Sequence, residues 1–113
     1  MERLVEKRPL GSFEQFVTNE VCTVKIITVD PAGALSLQYH HNRYAFWKVL
    51  HDKPLIIIRD ETINGADGHE FLIPRGTKHR IIADGTAVKL LEISFGSFDE
   101  KDIVRLEDKY KRT

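Results

Sequence analysis

Short runs rich in Val, Ile, Leu, Phe and Thr recur along these 113 residues, each ended by Gly, Pro, Asp or Asn, a rhythm that belongs to an all-β sandwich or barrel. Eight such runs lie near Ser12–Phe16, Thr23–Val29, Leu35–Tyr39, Tyr44–Leu50, Leu55–Arg59, Glu70–Ile73, Arg80–Ala83 and Val88–Ser94. Between them stand Asp30-Pro31-Ala32-Gly33, His51-Asp52-Lys53-Pro54, Asn64-Gly65-Ala66-Asp67-Gly68, Pro74-Arg75-Gly76 and Asp84-Gly85. In such turns proline presets φ, glycine admits a positive φ, and Asp and Asn bond their own backbone. Antiparallel strands of this length close into a jelly roll or small barrel because closure removes exposed edges, and such barrels often hold a ligand cavity. The tail from Asp99 to Arg112 reads differently: dense charge around Ile103, Leu106 and Tyr110 predicts a last helical turn or a docked arm.

The length suits one domain, residues 1–113, able to bury its own core. Seventeen basic and seventeen acidic residues cancel, so overall charge gives no reason to expect nucleic acid or an anionic membrane as a partner. The lone Cys22 excludes an internal disulfide and fits a reducing, cytoplasmic setting. A charged N-terminus without an apolar segment predicts no export, and no apolar stretch reaches the length of a membrane span.

Two segments carry chemistry. In Leu35-Ser-Leu-Gln-Tyr-His-His-Asn42, strand alternation puts Ser36, Gln38, His40 and Asn42 on one face and Leu35, Leu37 and Tyr39 on the other. Taken alone, the polar face would simply meet water. In Gly68-His-Glu-Phe-Leu-Ile-Pro74-Arg-Gly76-Thr-Lys-His79, a Pro-x-Gly turn of defined geometry aims a histidine at the start of the next strand.

Together these segments resemble the paired motifs of the cupin superfamily; the second keeps the spacing glycine, five residues, proline, one residue, glycine, two residues, histidine, and lacks only the trailing asparagine, where Ala83 stands. Arg8-Pro-Leu-Gly-Ser-Phe13, Leu35–His41 and Asp102-Ile-Val-Arg-Leu-Glu-Asp-Lys-Tyr110, in that order, are similar to the type II phosphomannose isomerase domain, found alone or as the C-terminal part of mannose-1-phosphate guanylyltransferase. The resemblance implies a cupin double-stranded β-helix, or jelly-roll barrel, with a short C-terminal arm. It further implies interconversion of mannose 6-phosphate and fructose 6-phosphate at a divalent metal ion. Guanylyltransferase activity is not expected of these residues.

Carried over by the resemblance, Gln38, His40 and His79 become metal ligands, with Asn42 standing where a third histidine is usual. Arg43, Arg105 and Arg112 become phosphate-binding residues, as guanidinium forks suit phosphate oxygens. Lys78 and Arg80, flanking His79, should face away from it. The family's Arg-Ala-Glu-His-Trp reads Arg43-Tyr44-Ala45-Phe46-Trp47 here, so its glutamate and histidine are Ala45 and Phe46, and Asp52 replaces a glycine after that strand. Without the carboxylate the ligand set is neutral, which predicts weak metal binding or none. Proton transfer would then fall to His79 and Glu92, with Arg43 beside them. Two further readings stay open: a non-catalytic cupin that binds a sugar phosphate or nucleotide sugar, and a metal-independent sugar-nucleotide isomerase or epimerase using the histidines as acid and base. A homodimer is expected through the apolar strip Leu35, Leu37 and Tyr39.

Overall fold

A computed structural model describes residues 2–109 and consists of strands. In chain order these are β1 (Leu4–Arg8), β2 (Gly11–Gln15), β3 (Cys22–Val29), β4 (Leu37–Tyr39), β5 (Arg43–His51), β6 (Leu55–Ile58), β7 (Glu61–Asn64), β8 (Glu70–Ile73), β9 (His79–Ile82), β10 (Val88–Gly96) and β11 (Val104–Glu107). Two antiparallel sheets, β3-β10-β5-β8 and β11-β4-β9-β6-β7, face each other as the jelly roll, and β1 pairs only with β2 in a separate hairpin. No helix among the described residues is long and apolar enough to cross a membrane.

Alternation decides what lies between the sheets. Along β5, Arg43, Ala45, Trp47 and Val49 are buried at every second position, and on β10 the same holds for Val88, Leu90, Glu92 and Ser94. The main core joins Val49, Trp47, Val88, Leu90, Val29 and Ile73 of one sheet to Ile56 and Ile81 of the other. A second cluster covers the outer face of the four-stranded sheet, where Phe16, Val17 and Cys22 pack on Phe46, Ile93 and Phe95.

Several expectations change. Of the two expectations for the tail the docked arm holds and the helical turn does not: Val104–Glu107 is an edge strand on β4, with Val104 opposite Tyr39 and Arg105 opposite Gln38. Tyr110 and Arg112 lie outside the described residues. Strands β1 and β7 escaped the sequence pattern because Leu4–Arg8 and Glu61–Asn64 are mostly polar and exposed. The strip Leu35, Leu37 and Tyr39 is not one outer face, since Leu35 precedes β4 and packs on the main core. More apolar surface stands open elsewhere, at Val24 and Ile26 of edge strand β3 and at Leu10 on the hairpin tip. Asp52 holds φ +67°, the left-handed conformation for which the family's glycine is suited and which Asp tolerates better than most side chains.

Candidate functional site

The Pro-x-Gly turn positions His79 and joins the two motifs. The Thr77 amide donates to the Pro74 carbonyl (3.2 Å), Gly76 takes φ +72°, and the Gly76 amide donates to the carbonyl of His40 (2.8 Å). His79 then opens β9 opposite Gln38 on one side and Ile58 on the other. Directly opposed residues share a face, so Arg105, Gln38, His79 and Ile58 form one row across the five-stranded sheet.

His79 Nδ1 donates to the Thr77 carbonyl (2.8 Å) and His40 Nδ1 to the Asp102 carbonyl (2.6 Å). A carbonyl oxygen only accepts, so each ring carries its proton on Nδ1 and leaves a lone pair on Nε2. The ring centroids are 5.2 Å apart. Burial is the main cause that depresses both pKa values, His79 to about 4, and the Arg43 charge pushes the same way. Both imidazoles are therefore neutral at pH 7.

Arg43 is only 7% exposed although it carries a full charge. Its Nη2 lies against the His40 ring, 3.1 Å from Nδ1 and 3.3 Å from Nε2, of which only Nε2 can accept; its Nη1 donates to the Asp99 carbonyl (3.4 Å), and the guanidinium stands 4.3 Å from the ring centre of Phe98. Glu92 faces the same space from β10, accepting from Trp47 Nε1 (2.8 Å) and Ser94 Oγ (3.3 Å). The Trp47 ring meets His79 edge-on at 5.3 Å. Two neutral bases, one carboxylate and one guanidinium thus converge between the sheets.

The arrangement does not suit a divalent cation. Among the described residues no three His, Cys, Asp or Glu side chains are grouped to hold one. Gln38 Oε1 accepts from Ser36 Oγ, the Glu92 oxygens are bonded to Trp47 and Ser94, and a guanidinium already stands against His40. Hard divalent ions need several oxygen donors with compensating negative charge, and a resident cation opposes them.

Of the residues named from sequence, Gln38, His40, Arg43, His79 and Glu92 face the interior. Asn42 is exposed on the rim, where its amide donates to Asp102 Oδ2 (2.9 Å). Arg105 joins the inner row at its edge, whereas Lys78 pairs outward with Asp60 (2.8 Å) and Arg80 with Glu107 (3.2 Å). Phe46 points to the outer cluster, so a histidine there would stand outside the barrel, while Ala45 packs inward with Trp47 and Ile73. Asp102 was missed: its carboxylate accepts from the amides of His41 (3.0 Å) and Asn42 (2.9 Å), which lowers its pKa and pins the tail to the first motif. Lys25 was missed too, though it carried a signal. It shares a strand face with Ile27 and Val29, a charge on the side that ends buried.

A family model described as mannose-6-phosphate isomerase C-terminal matches residues 3–108. The chain belongs to that family. Relatives include the xanthan biosynthesis protein XanB of Xanthomonas campestris pv. campestris, 37% identical over 108 residues, 94% of this chain and 23% of that protein. They also include the mannose-1-phosphate guanylyltransferase ManC of Salmonella typhimurium, 35% identical over 107 residues, 93% of this chain and 22% of that protein. The chain thus spans under a quarter of the length of these curated relatives. Among solved structures, the capsular polysaccharide assembling protein CapF of Staphylococcus aureus has a TM-score of 0.66 at 25% identity, covering 95% of this chain and 35% of that one. The 4-keto-6-deoxy sugar epimerase NovW of Streptomyces spheroides has a TM-score of 0.69 at 10% identity, covering 91% and 65%, and shares the fold. The domain is a cupin of a sugar-phosphate family.

Proposed function

We propose that this domain binds a phosphorylated sugar between its sheets and catalyses aldose–ketose isomerisation, mannose 6-phosphate to fructose 6-phosphate, by proton transfer without a metal ion. The observation that carries the reading is the pairing of lone-pair-bearing imidazoles with a buried guanidinium donor. Isomerisation needs a base that moves a proton between adjacent carbons and a donor that stabilises charge on the carbonyl oxygen as the enediolate forms. His79 Nε2 and the Glu92 carboxylate are the bases on hand, and Arg43 is the donor. The Nδ1 bonds to fixed carbonyls hold each ring in the tautomer that exposes Nε2.

The test is a coupled assay for fructose 6-phosphate from mannose 6-phosphate in excess chelator. Turnover that survives chelation and falls with His79→Gln supports the proposal; turnover restored only by added divalent ions rejects it. A second reading, binding without turnover, is favoured by the aliphatic surroundings of Ala45, which supply no acid where the family has one. Stoichiometric sugar-phosphate binding with no product would establish it.

A further inference from the structure

The segment between β10 and β11 is fastened at both ends to the same loop of the first motif. At its start Gly96 takes φ +99°, a side chain there would meet the Asn42 carbonyl at 2.5 Å, and the Ser97 amide donates to that carbonyl (3.1 Å). At its far end Asp102 holds the amides of His41 and Asn42. Between these anchors hangs Phe98, half-buried, with two cations on its ring: Arg43 at 4.3 Å and Lys25 at 4.7 Å. Lys25 stands opposite Glu92 on the inner side of β3, and its other partner is Glu100 at 3.8 Å, whose side chain is 80% exposed.

We propose that Lys25 and the Nη1 edge of the Arg43 guanidinium form a phosphoryl-binding pair at the mouth of this barrel, leaving Nη2 beside His40 as the donor to the sugar carbonyl, and that Phe98 is the gate a phosphorylated ligand displaces. The inference rests on the sugar-phosphate reading above and adds to it the residues that grip the phosphate. Lys25 spends its charge on an aromatic face and a solvent-exposed carboxylate, and Arg43 on the same aromatic face, a long bond to the Asp99 carbonyl (3.4 Å) and the neutral His40 ring, none of them an anion held close. A phosphate dianion offers both of them charge-assisted hydrogen bonds, which are stronger. Because the backbone is anchored on either side of Phe98, rotation of that one side chain is enough to free the two cations from its ring. The uncharged part of a sugar gains nothing from the exchange, so the gate selects for the phosphate.

Isothermal titration with mannose 6-phosphate, mannose and inorganic phosphate tests this on the wild type, Lys25→Gln, Lys25→Arg and Phe98→Ala, each checked for an unchanged β spectrum. Lys25→Gln should weaken mannose 6-phosphate and phosphate about tenfold, the loss of one charge-assisted bond, with Lys25→Arg restoring it. Phe98→Ala should tighten both about threefold by removing the competitor for the cations. Unchanged phosphate affinity in Lys25→Gln overturns the pair, and weaker binding in Phe98→Ala overturns the gate by making Phe98 a wall of the site. Inorganic phosphate that follows the expected pattern in a protein that does not isomerise mannose 6-phosphate keeps the pair and removes the isomerase reading. Isomerisation that persists while both substitutions leave binding unaltered does the reverse.

Discussion

The two ends of the space between the sheets are built by the same strands and could hardly differ more. At one end β5, β9 and β10 contribute Val49, Ile81, Val88 and Leu90, joined by Ile56, all essentially inaccessible. Two to six residues away on the same strands, the same faces carry Arg43, His79, Glu92 and Ser94. The apolar end stabilises the sheets by burial, at roughly 25 cal/mol per Å² of apolar surface. The polar end must satisfy its buried donors, and the Nδ1–H groups of both histidines are met by carbonyls of the connecting segments, Thr77 and Asp102. The fold is therefore clamped from one end, which frees the other to hold groups that cost stability.

Substitutions at each end should separate these contributions. The largest effect expected is His79→Gln on turnover, a fall of about 10²- to 10⁴-fold in kcat for loss of a general base, measured by the coupled assay in chelator. A substitution that leaves kcat intact would show the polar end to be structural. Leu90→Ala, fully buried at the apolar end, should cost about 2–5 kcal/mol in urea denaturation while leaving kcat near wild type at low temperature.

A third separation is by pH. His79 titrates near 4 in the folded chain against an ordinary value of 6.5, so between those values the unfolded chain binds more protons and acid favours unfolding. The contribution is fully present above pH 6.5 and lost as pH falls toward 4, about 3 kcal/mol in all. His40, shifted in the same direction, adds to it. Comparing wild type with His79→Gln across this range isolates the effect from carboxylate titration, and parallel curves would contradict it. The smallest effect is expected from Phe46→His. The side chain lies in the outer cluster, so stability should drop by about 1–3 kcal/mol with kcat unchanged, and a gain in turnover would mean the ring reaches the interior.

The inward aim of Gln38, His40 and His79 came from the resemblance of the two motifs to a cupin's, whereas the strand series and its closure into a barrel were legible in sequence because alternation and turn residues act locally. The same rule, applied to Phe46, would have shown it facing away from Arg43, Ala45 and Trp47; motif correspondence alone does not encode facing. What alternation could not give was the closing of the site from far along the chain. Asp102 meets His41 and Asn42 across some sixty positions, and Phe98 reaches both Lys25 and Arg43, through a segment with no period of its own. The edge strand Val104–Glu107 was hidden likewise, since two apolar–charged alternations are too short to tell a strand from a helical turn and its pairing is decided by the open edge of β4.

Trp47 sits at the border of the two ends, its indole N–H on Glu92, its ring edge against His79 and its body within the aliphatic core. It is also the sole tryptophan of the chain. Its fluorescence is accordingly a built-in observer of both regions: loss of the core shifts emission toward the solvent-exposed maximum, whereas a ligand that reorders Glu92 or the imidazole changes intensity with the core intact. One optical signal, followed by wavelength and by amplitude, can thus time the arrival of a guest separately from the unfolding of its host.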